Sequence, residues 1–352
     1  MERPRPIMLR SACLVTILIA SAICLLPLKA SCSEQYYKPV ANDDDQAVRQ
    51  RYEGWIQKYG RNYKSEEEKE HRFRIYLENV ELIDRVNSQN LSYQLADNKF
   101  ADMTNAEFRA AHLGTRQSFH PPTAFRHGNQ NSNLPQEVDW RKNGTITPVK
   151  DQGECASCWA FTAAEAVESL NKIKTGKLIL LSPQELLDCD RDGGQGCKGG
   201  SIDSAFKFIT RNGITGEEEY PYKGTQNLCN NRGLQSHEAG ITGYEMVPRN
   251  DETKLQAAVA RQPVAVAIDS GSSQVQLYSH GVFAGQCGTN VDHGVLAAGY
   301  GEQVDGKKYW LLKNSWGSDW GESGYMKIER NVPNKRGKCG IAVEPSYPVK
   351  DY

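Results

Sequence analysis

The stretch Gln152-Gly-Glu-Cys155-Ala-Ser-Cys158-Trp-Ala-Phe161 places two cysteines three apart, just ahead of a helical stripe of Ala160, Ala163, Ala164, Val167 and Leu170. That period sets Cys158 at or near a helix N-terminus, where the positive end of the backbone dipole favours thiolate over thiol. Three chemistries use such a pair. A thioredoxin-like redox pair follows a strand and carries its tryptophan before the first cysteine, whereas Trp159 follows the second. A zinc half-site needs another closely spaced pair, and Cys189 and Cys197 stand too far apart for it. A nucleophile with a disulfide-bonded neighbour needs a histidine and an orienting amide or carboxylate from elsewhere in the chain.

Downstream of residue 133 the histidines are His237, His280 and His293. His293 opens Asp292-His-Gly-Val-Leu-Ala-Ala-Gly-Tyr-Gly301, a run of β-branched and small residues that predicts a strand with the imidazole at its start. Tyr309-Trp-Leu-Leu-Lys-Asn314 predicts a second strand, ending on an amide that can hold an imidazole without adding charge. Cysteine, histidine and asparagine suffice for acyl transfer.

Cysteine placement bears on the compartment. Of ten cysteines, Cys13, Cys24 and Cys32 fall in the first 32 residues and the other seven follow residue 150. An odd seven reads, in an oxidising compartment, as three disulfides and one thiol kept free; a structural thiol is the plainer alternative. Arg3, Arg5 and Arg10 precede the apolar run Leu14–Leu26, with small residues at Ala30 and Cys32. This is the pattern of a secretory signal over residues 1–32, and the run is short for a membrane span, which takes about 20 apolar residues.

Between residues 33 and 113 the periodicity is helical. Val48, Tyr52, Trp55, Ile56 and Tyr59 form one stripe that Gly60 ends, and Ser65-Glu-Glu-Glu68 reads as a capping box opening a long helix. Glu68 with Arg72, and Glu81 with Arg85, are spaced for ion pairs along it. Thr104-Asn-Ala-Glu107 opens a short helix that stops near Gly114. From Gly114 to Asn133 the chain has no period and many breakers, and reads as an exposed linker where proteolysis concentrates.

The 352 residues carry Lys+Arg 42 against Asp+Glu 43, and 39% are hydrophobic. A net charge of −1 gives no support to a nucleic-acid or anionic-membrane partner, and a mean hydropathy of −0.62 excludes a polytopic membrane protein. Residues 1–133 hold 18 Lys+Arg and 16 Asp+Glu, residues 134–352 hold 24 and 27, so the two parts are weakly opposite in sign.

On these residues the chain resembles a papain-family (C1) cysteine protease precursor of the plant cathepsin L-like type. The family signature around the nucleophile is C-G-[SA]-C-[WY], with His and Asn roughly 130–150 residues downstream. Here His293 follows Cys158 by 135 residues and Asn314 by 156, with Ala156 in place of the motif glycine. Glu68, Arg72, Tyr76, Asn79, Ile83 and Asn87 fall on the interspersed prosegment motif, with Tyr76 where Phe is usual; Ala96, Asn98, Phe100 and Asp102 match a second, with Ala96 in place of its glycine. Leu134-Pro-Gln-Glu-Val-Asp-Trp-Arg141 resembles the mature N-terminus.

The resemblance implies an α+β fold of two lobes, helical from Cys158 and strand-rich from about Ile241, preceded by a helical inhibitory prosegment with its linker over 33–133. The mature peptidase domain is then 134–352. It implies disulfides Cys155–Cys197, Cys189–Cys229 and Cys287–Cys339, with Cys158 free. Cys158 is expected as nucleophile, His293 as its base, Asn314 as the imidazole's orienting group and Gln152 as an oxyanion donor, with Trp316 shielding the Asn314–His293 contact. Gly199 and Gly200 let a substrate backbone approach, and Ser201, Ile202, Ala267, Val291, Asp292, Gly294 and Glu344 line the cleft. Small and apolar lining predicts Leu, Val or Phe two residues before the cut, with Glu344 either reading a substrate Arg or facing solvent.

A ligase would use the same thioester with an amine acceptor, and a non-catalytic binder would be expected to have lost Cys158, His293 or Gln152. Expected partners are protein and peptide substrates, the chain's own prosegment and cystatin-like inhibitors, with no metal or cofactor and a monomeric state. Asn90 and Asn143 stand in glycosylation acceptor patterns. Destinations compatible with the leader are extracellular, vacuolar or lysosomal.

Overall fold

The structure, a computed structural model, describes residues 43–115, 125–126, 134–230 and 236–351. The expected leader and most of the linker lie outside the described residues.

The prosegment begins with helices α1 (Asp43–Tyr59) and α2 (Glu66–Asn87). They pack through aromatic side chains: Tyr52 lies 4.9 Å and Trp55 5.4 Å, ring to ring, from Tyr76. Tyr76 also explains its departure from Phe, because its hydroxyl donates to Asp97 at 2.5 Å while Arg51 holds the same carboxylate at 2.8 Å. Ser65 caps α2 by accepting from the Glu68 amide at 3.1 Å, but the Glu68 carboxylate accepts from the Lys64 amide rather than from that of Ser65. Neither expected ion pair along α2 forms. Arg72 instead reaches Glu107 at 2.9 Å and the Asp102 carbonyl at 3.1 Å, and no ion pair joins Glu81 to Arg85 among the described residues. An exposed pair at this spacing is worth only about 0.2–0.5 kcal/mol, so a partly buried carboxylate plus a carbonyl wins.

Strand β1 (Tyr93–Leu95) and helix α3 (Asn105–His112) complete the prosegment. Both halves of the Thr104–Glu107 capping box are present.

Strand β2 (Val138–Asp139) opens the following domain, and α4 (Cys158–Thr175) is its central helix, buried from Cys158 to Asn171 and ended by Gly176 at φ +77°. Helices α5 (Pro183–Cys189) and α6 (Ile202–Asn212) pack beside it, around Trp159, Leu170, Leu186 and Phe206. A two-stranded ribbon of β3 (Ile214–Thr215) and β4 (His237–Ala239) follows.

The second lobe is a sheet built from β5 (Gly243–Met246), β6 (Val264–Ile268), β7 (Tyr278–Phe283), β8 (His293–Glu302), β9 (Lys308–Lys313), β10 (Tyr325–Glu329) and β11 (Ser346–Val349), with helix α7 (Glu252–Val259) packed against β8 and the short helix α8 (Ser273–Gln276) meeting α3. Its order is β1-β7-β10-β9-β8-β6-β11-β5, with β2 pairing on β8. The sheet therefore takes in Val138–Asp139 and the prosegment strand β1, both well upstream of the expected start at Ile241. A free sheet edge accepts any strand brought alongside, and β1 satisfies the amides of β7.

Cys155–Cys197, Cys189–Cys229 and Cys287–Cys339 are bonded, and Cys158 is the free cysteine among the described residues. Loops of 42, 40 and 52 residues are closed, each worth about 4 kcal/mol in the chain-entropy account.

Candidate active site

Cys158 begins α4 and His293 begins β8, and the two elements meet at the junction of the lobes. A Cβ placed on Gly294 would lie 3.0 Å from Thr115 Oγ1, 3.1 Å from Thr162 Oγ1 and 3.3 Å from Ile202 Cδ1, so even a methyl would crowd β8 against α4, α6 and the prosegment here. Asn314 follows the last residue of β9. Its Oδ1 lies 2.7 Å from His293 Nε2 and also accepts from the Ser315 amide at 2.8 Å. Trp316, fully buried, stacks on the imidazole with ring centroids 4.4 Å apart and planes 28° apart, excluding water from that hydrogen bond.

Gln152 is buried beside them. Its side-chain oxygen accepts from Ser315 Oγ at 2.7 Å and its backbone carbonyl from Tyr222 Oη at 2.7 Å. The amide nitrogen donates to the Cys155 carbonyl at 2.9 Å and to the carbonyl of His112, the last residue of α3, at 3.0 Å.

The prosegment continues through the cleft. Gly114 and Thr115 donate their amides to the Asp292 carbonyl, each at 2.9 Å, and Gly200 donates to the Gly114 carbonyl at 2.9 Å. Thr115 Oγ1 lies 3.2 Å from Cys158 Sγ. The stretch from 114 is thus not all exposed linker: its first two residues lie against the thiol. Gly199, at φ +98°, makes the approach possible, since a Cβ there would fall 2.1 Å from the Gly114 carbonyl oxygen. The extra methyl of Ala156 is accommodated with no left-handed backbone at that residue, and it shares with the backbone the requirement for glycine opposite: a Cβ on Gly114 would lie 2.6 Å from Ala156 Cβ and 2.7 Å from the Ala156 carbonyl oxygen.

Burial dominates the electrostatics. It pushes the Cys158 thiol above its ordinary value, against hydrogen bonds from the Gly294, Gly114 and Trp159 backbone and from Thr115. It depresses the His293 imidazole to about 4, against the pull of Asn314 and Asp292. Under its prosegment burial favours the neutral form of each group, and His293 Nδ1 is buried with no hydrogen-bond partner. The dipole of α4 is outweighed by desolvation in this covered state.

Ile202, Gly294 and Ala267, the last two paired across β6 and β8, sit together beside Thr115. Asp292 supplies the carbonyl just described, and Ser201 caps α6 by accepting from the Ser204 amide. Val291 is buried against Gly340. Glu344 does not face solvent: it is 8% exposed and accepts from Arg249 at 3.1 Å. Asn90 and Asn143 are exposed. The sequence reading missed His112, Gly114, Thr115, Ser315 and Tyr222 as contributors to the site. Only Ser315, lying between Asn314 and Trp316, carried a local signal.

The second prosegment motif forms the seam between prosegment and domain. Asn98 Nδ2 donates to the Gln276 carbonyl at 2.8 Å, and Gln276 Nε2 donates to the Phe100 and Met103 carbonyls at 3.1 and 3.0 Å. Phe100 and Phe108 pack edge-on to Trp316 at 5.8 and 5.1 Å. Asp102 accepts from Tyr63 Oη at 2.9 Å.

The family model described as "Papain family cysteine protease" matches residues 134–349, and that of the "Cathepsin propeptide inhibitor domain (I29)" matches residues 52–108. The chain is 50% identical over 314 residues to the senescence-specific cysteine protease SAG39 of Oryza sativa subsp. japonica, covering 87% of this chain and 91% of that protein. It is 50% identical over 293 residues to vignain of Ricinus communis, covering 80% and 81%. Among solved structures, recombinant stem bromelain precursor superposes with a TM-score of 0.83 at 45% identity, covering 87% of this chain and 100% of that one. The proform of the ragweed pollen allergen Amb a 11 gives 0.82 at 38% identity, covering 88% and 96%. The chain belongs to the papain family of cysteine proteases, and is a cysteine endopeptidase that carries its own inhibitory propeptide.

Proposed function

We propose that the domain from residue 134 onward, once freed, hydrolyses peptide bonds through a thioester on Cys158. The observation that carries this reading is the Gln152 amide donating to a peptide carbonyl, that of His112, two residues before the backbone that lies against the Cys158 thiol. A group that receives a backbone carbonyl there is set to receive the oxyanion of a tetrahedral intermediate, together with the Cys158 amide. His293, held by Asn314, takes the thiol proton when the prosegment leaves and returns it to the departing amine. Water then attacks the thioester, regenerating the thiol.

The prosegment inhibits because it fills the donor and covers the thiol with different residues. The carbonyl on Gln152 belongs to His112, whereas the backbone beside Sγ belongs to Gly114 and Thr115. No single carbonyl carbon is thereby offered to both.

An apolar side chain two residues before the cut is supported by Ile202, Ala267 and Gly294, and by Arg249, which neutralises Glu344. The leader-like sequence supports entry to the secretory pathway and an extracellular, vacuolar or lysosomal destination, with glycosylation at the exposed Asn90 and Asn143. Cystatin-like proteins are proposed as external inhibitors of a monomeric enzyme.

The test compares precursor with a form starting near Leu134 on a quenched peptide carrying Leu two residues before the cut. The mature form should be far more active, and Cys158→Ser should nearly abolish its turnover with the three disulfides intact. Equal activity of precursor and mature form overturns the inhibition; retained activity in the variant overturns the nucleophile. A competing amine in the same assay separates hydrolysis from ligation.

A further inference from the structure

One ion-pair cluster beside the cleft joins the prosegment to the mature domain. Lys99 Nζ lies 2.5 Å from Asp151 Oδ2 and 3.6 Å from Asp319 Oδ1, with the lysine side chain 16% exposed and each carboxylate side chain 47% exposed. Gly317, at φ +79°, leaves room for the three to meet: a Cβ there would fall 2.8 Å from Asp319 Oδ1, 3.0 Å from Asp151 Oδ2 and 3.1 Å from Lys99 Nζ. A cavity of about 310 Å³ borders this cluster and also reaches His112, the residue whose carbonyl sits on Gln152. From the mature domain that cavity is lined by Asp151, Gly153, Glu154 and Asp319, with no cation. The neighbouring Lys150 is committed elsewhere, to Glu168 at 3.1 Å and Glu217 at 2.9 Å.

The position relative to the reaction follows from His293. This imidazole returns a proton to the departing amine, so the leaving peptide departs on the imidazole side of the thiol, where Trp316 stacks on His293 at 4.4 Å. Asp151 forms an isolated antiparallel bridge with Trp316 and immediately precedes Gln152. Asp151, and Asp319 clustered with it, therefore stand on the side towards which the amine departs. In the precursor a primary ammonium already occupies them, and it belongs to the segment that maturation removes.

We propose that in the mature peptidase Asp151 and Asp319 form a cation subsite that takes a Lys or Arg side chain of the substrate within the first three residues after the cut. This rests on the peptidase reading above and deepens it. Losing Lys99 leaves two like charges close together, and a substrate cation restores the pairing. Half-exposed pairs are individually weak, about 0.2–1 kcal/mol, so the selectivity is a matter of several-fold.

The test uses the mature enzyme and quenched peptides that are identical up to the cut, with Leu two residues before it. Lys, norleucine or Glu is placed at the first, second or third position after the cut. At one of these positions kcat/KM should be about three- to tenfold higher for Lys than for norleucine, with Glu below norleucine, and the advantage should shrink in high salt. Because the readout is a ratio within one enzyme, it is independent of the absolute activity of each variant. Asp319→Asn should bring the Lys-to-norleucine ratio towards one, and Asp319→Lys should turn the preference towards Glu. Norleucine peptides cleaved well, with equal rates for Lys and Glu at all three positions, overturn the subsite alone. A Lys preference unchanged in both Asp319 variants and in Asp151→Asn overturns it as well. Failure to cleave any peptide overturns the peptidase reading and the subsite with it.

Discussion

The side-chain amide of Gln152 donates to the backbone carbonyl of His112 at 3.0 Å, across the boundary between the mature domain and the segment that covers it. On the proposed mechanism one side chain serves both inhibition and catalysis, and replacing it should weaken both. Gln152→Ala in the mature enzyme should lower kcat about 10²- to 10³-fold with little change in KM, the cost of one oxyanion donor. Steady-state kinetics on a peptide substrate read this, and a purely KM effect would remove Gln152 from the oxyanion site.

Ser315 should show a smaller effect of the same kind. Its hydroxyl donates to Gln152 Oε1 at 2.7 Å in a buried setting, so Ser315→Ala frees the amide to turn without removing it. A fall in kcat clearly smaller than that of Gln152→Ala is expected, together with a stability loss of about 1 kcal/mol read by denaturant unfolding.

Gly114 and Ala156 should behave as a coupled pair. Gly114→Ala drives a Cβ to 2.6 Å from Ala156 Cβ, and overpacking of this kind costs about 1–3 kcal/mol. Conversion of the precursor at neutral pH should therefore accelerate about tenfold, and Ala156→Gly in the same chain should restore only part of the inhibition, because the Ala156 carbonyl oxygen, 2.7 Å from the added Cβ, remains. Additive effects of the two changes would contradict direct contact.

Acid should open the precursor through its histidines. Burial holds both His293 and His112 at about 4 in the closed state, below the ordinary 6.5. The closed state therefore binds fewer protons than the open one. Its stability is intact above about pH 6.5 and is lost progressively as pH falls towards about 4. Partnered carboxylates add to the loss at lower pH, since Asp97 and Glu107 are held below their usual range and lose their pairings when protonated. Asp102 and Asp292 oppose it, because burial raises both and the closed state retains their protons. Prosegment release from Cys158→Ser precursor, followed by fluorescence against pH, should show this window, and His112→Phe should make it shallower.

The sequence carried the parts of the site whose chemistry is written locally. Cys158 could be placed on a helix start, and His293 and Asn314 at strand ends, because period and punctuation mark those positions. The prosegment's entry into the cleft was not legible. His112, Gly114 and Thr115 act through docking onto residues 40 or more positions away, and a breaker-rich composition describes an exposed linker and an extended strand in a cleft equally well. Arg72 and Glu344 show the same limit. Arg72 left its neighbour on α2 for Glu107, 35 residues on, and Glu344 found Arg249, 95 residues back. Local spacing predicts which pairs can meet, whereas burial decides which do.

The most direct measurement is the alkylation rate of Cys158, mapped by mass spectrometry, followed together with peptidase activity while the precursor converts. Thr115 and Gly114 cover a neutral thiol in the precursor, so labelling should be slow at first and rise in step with activity as the prosegment is lost. Rapid labelling of Cys158 in intact precursor, or full activity appearing while Cys158 stays protected, would contradict a nucleophile held in check by its own prosegment.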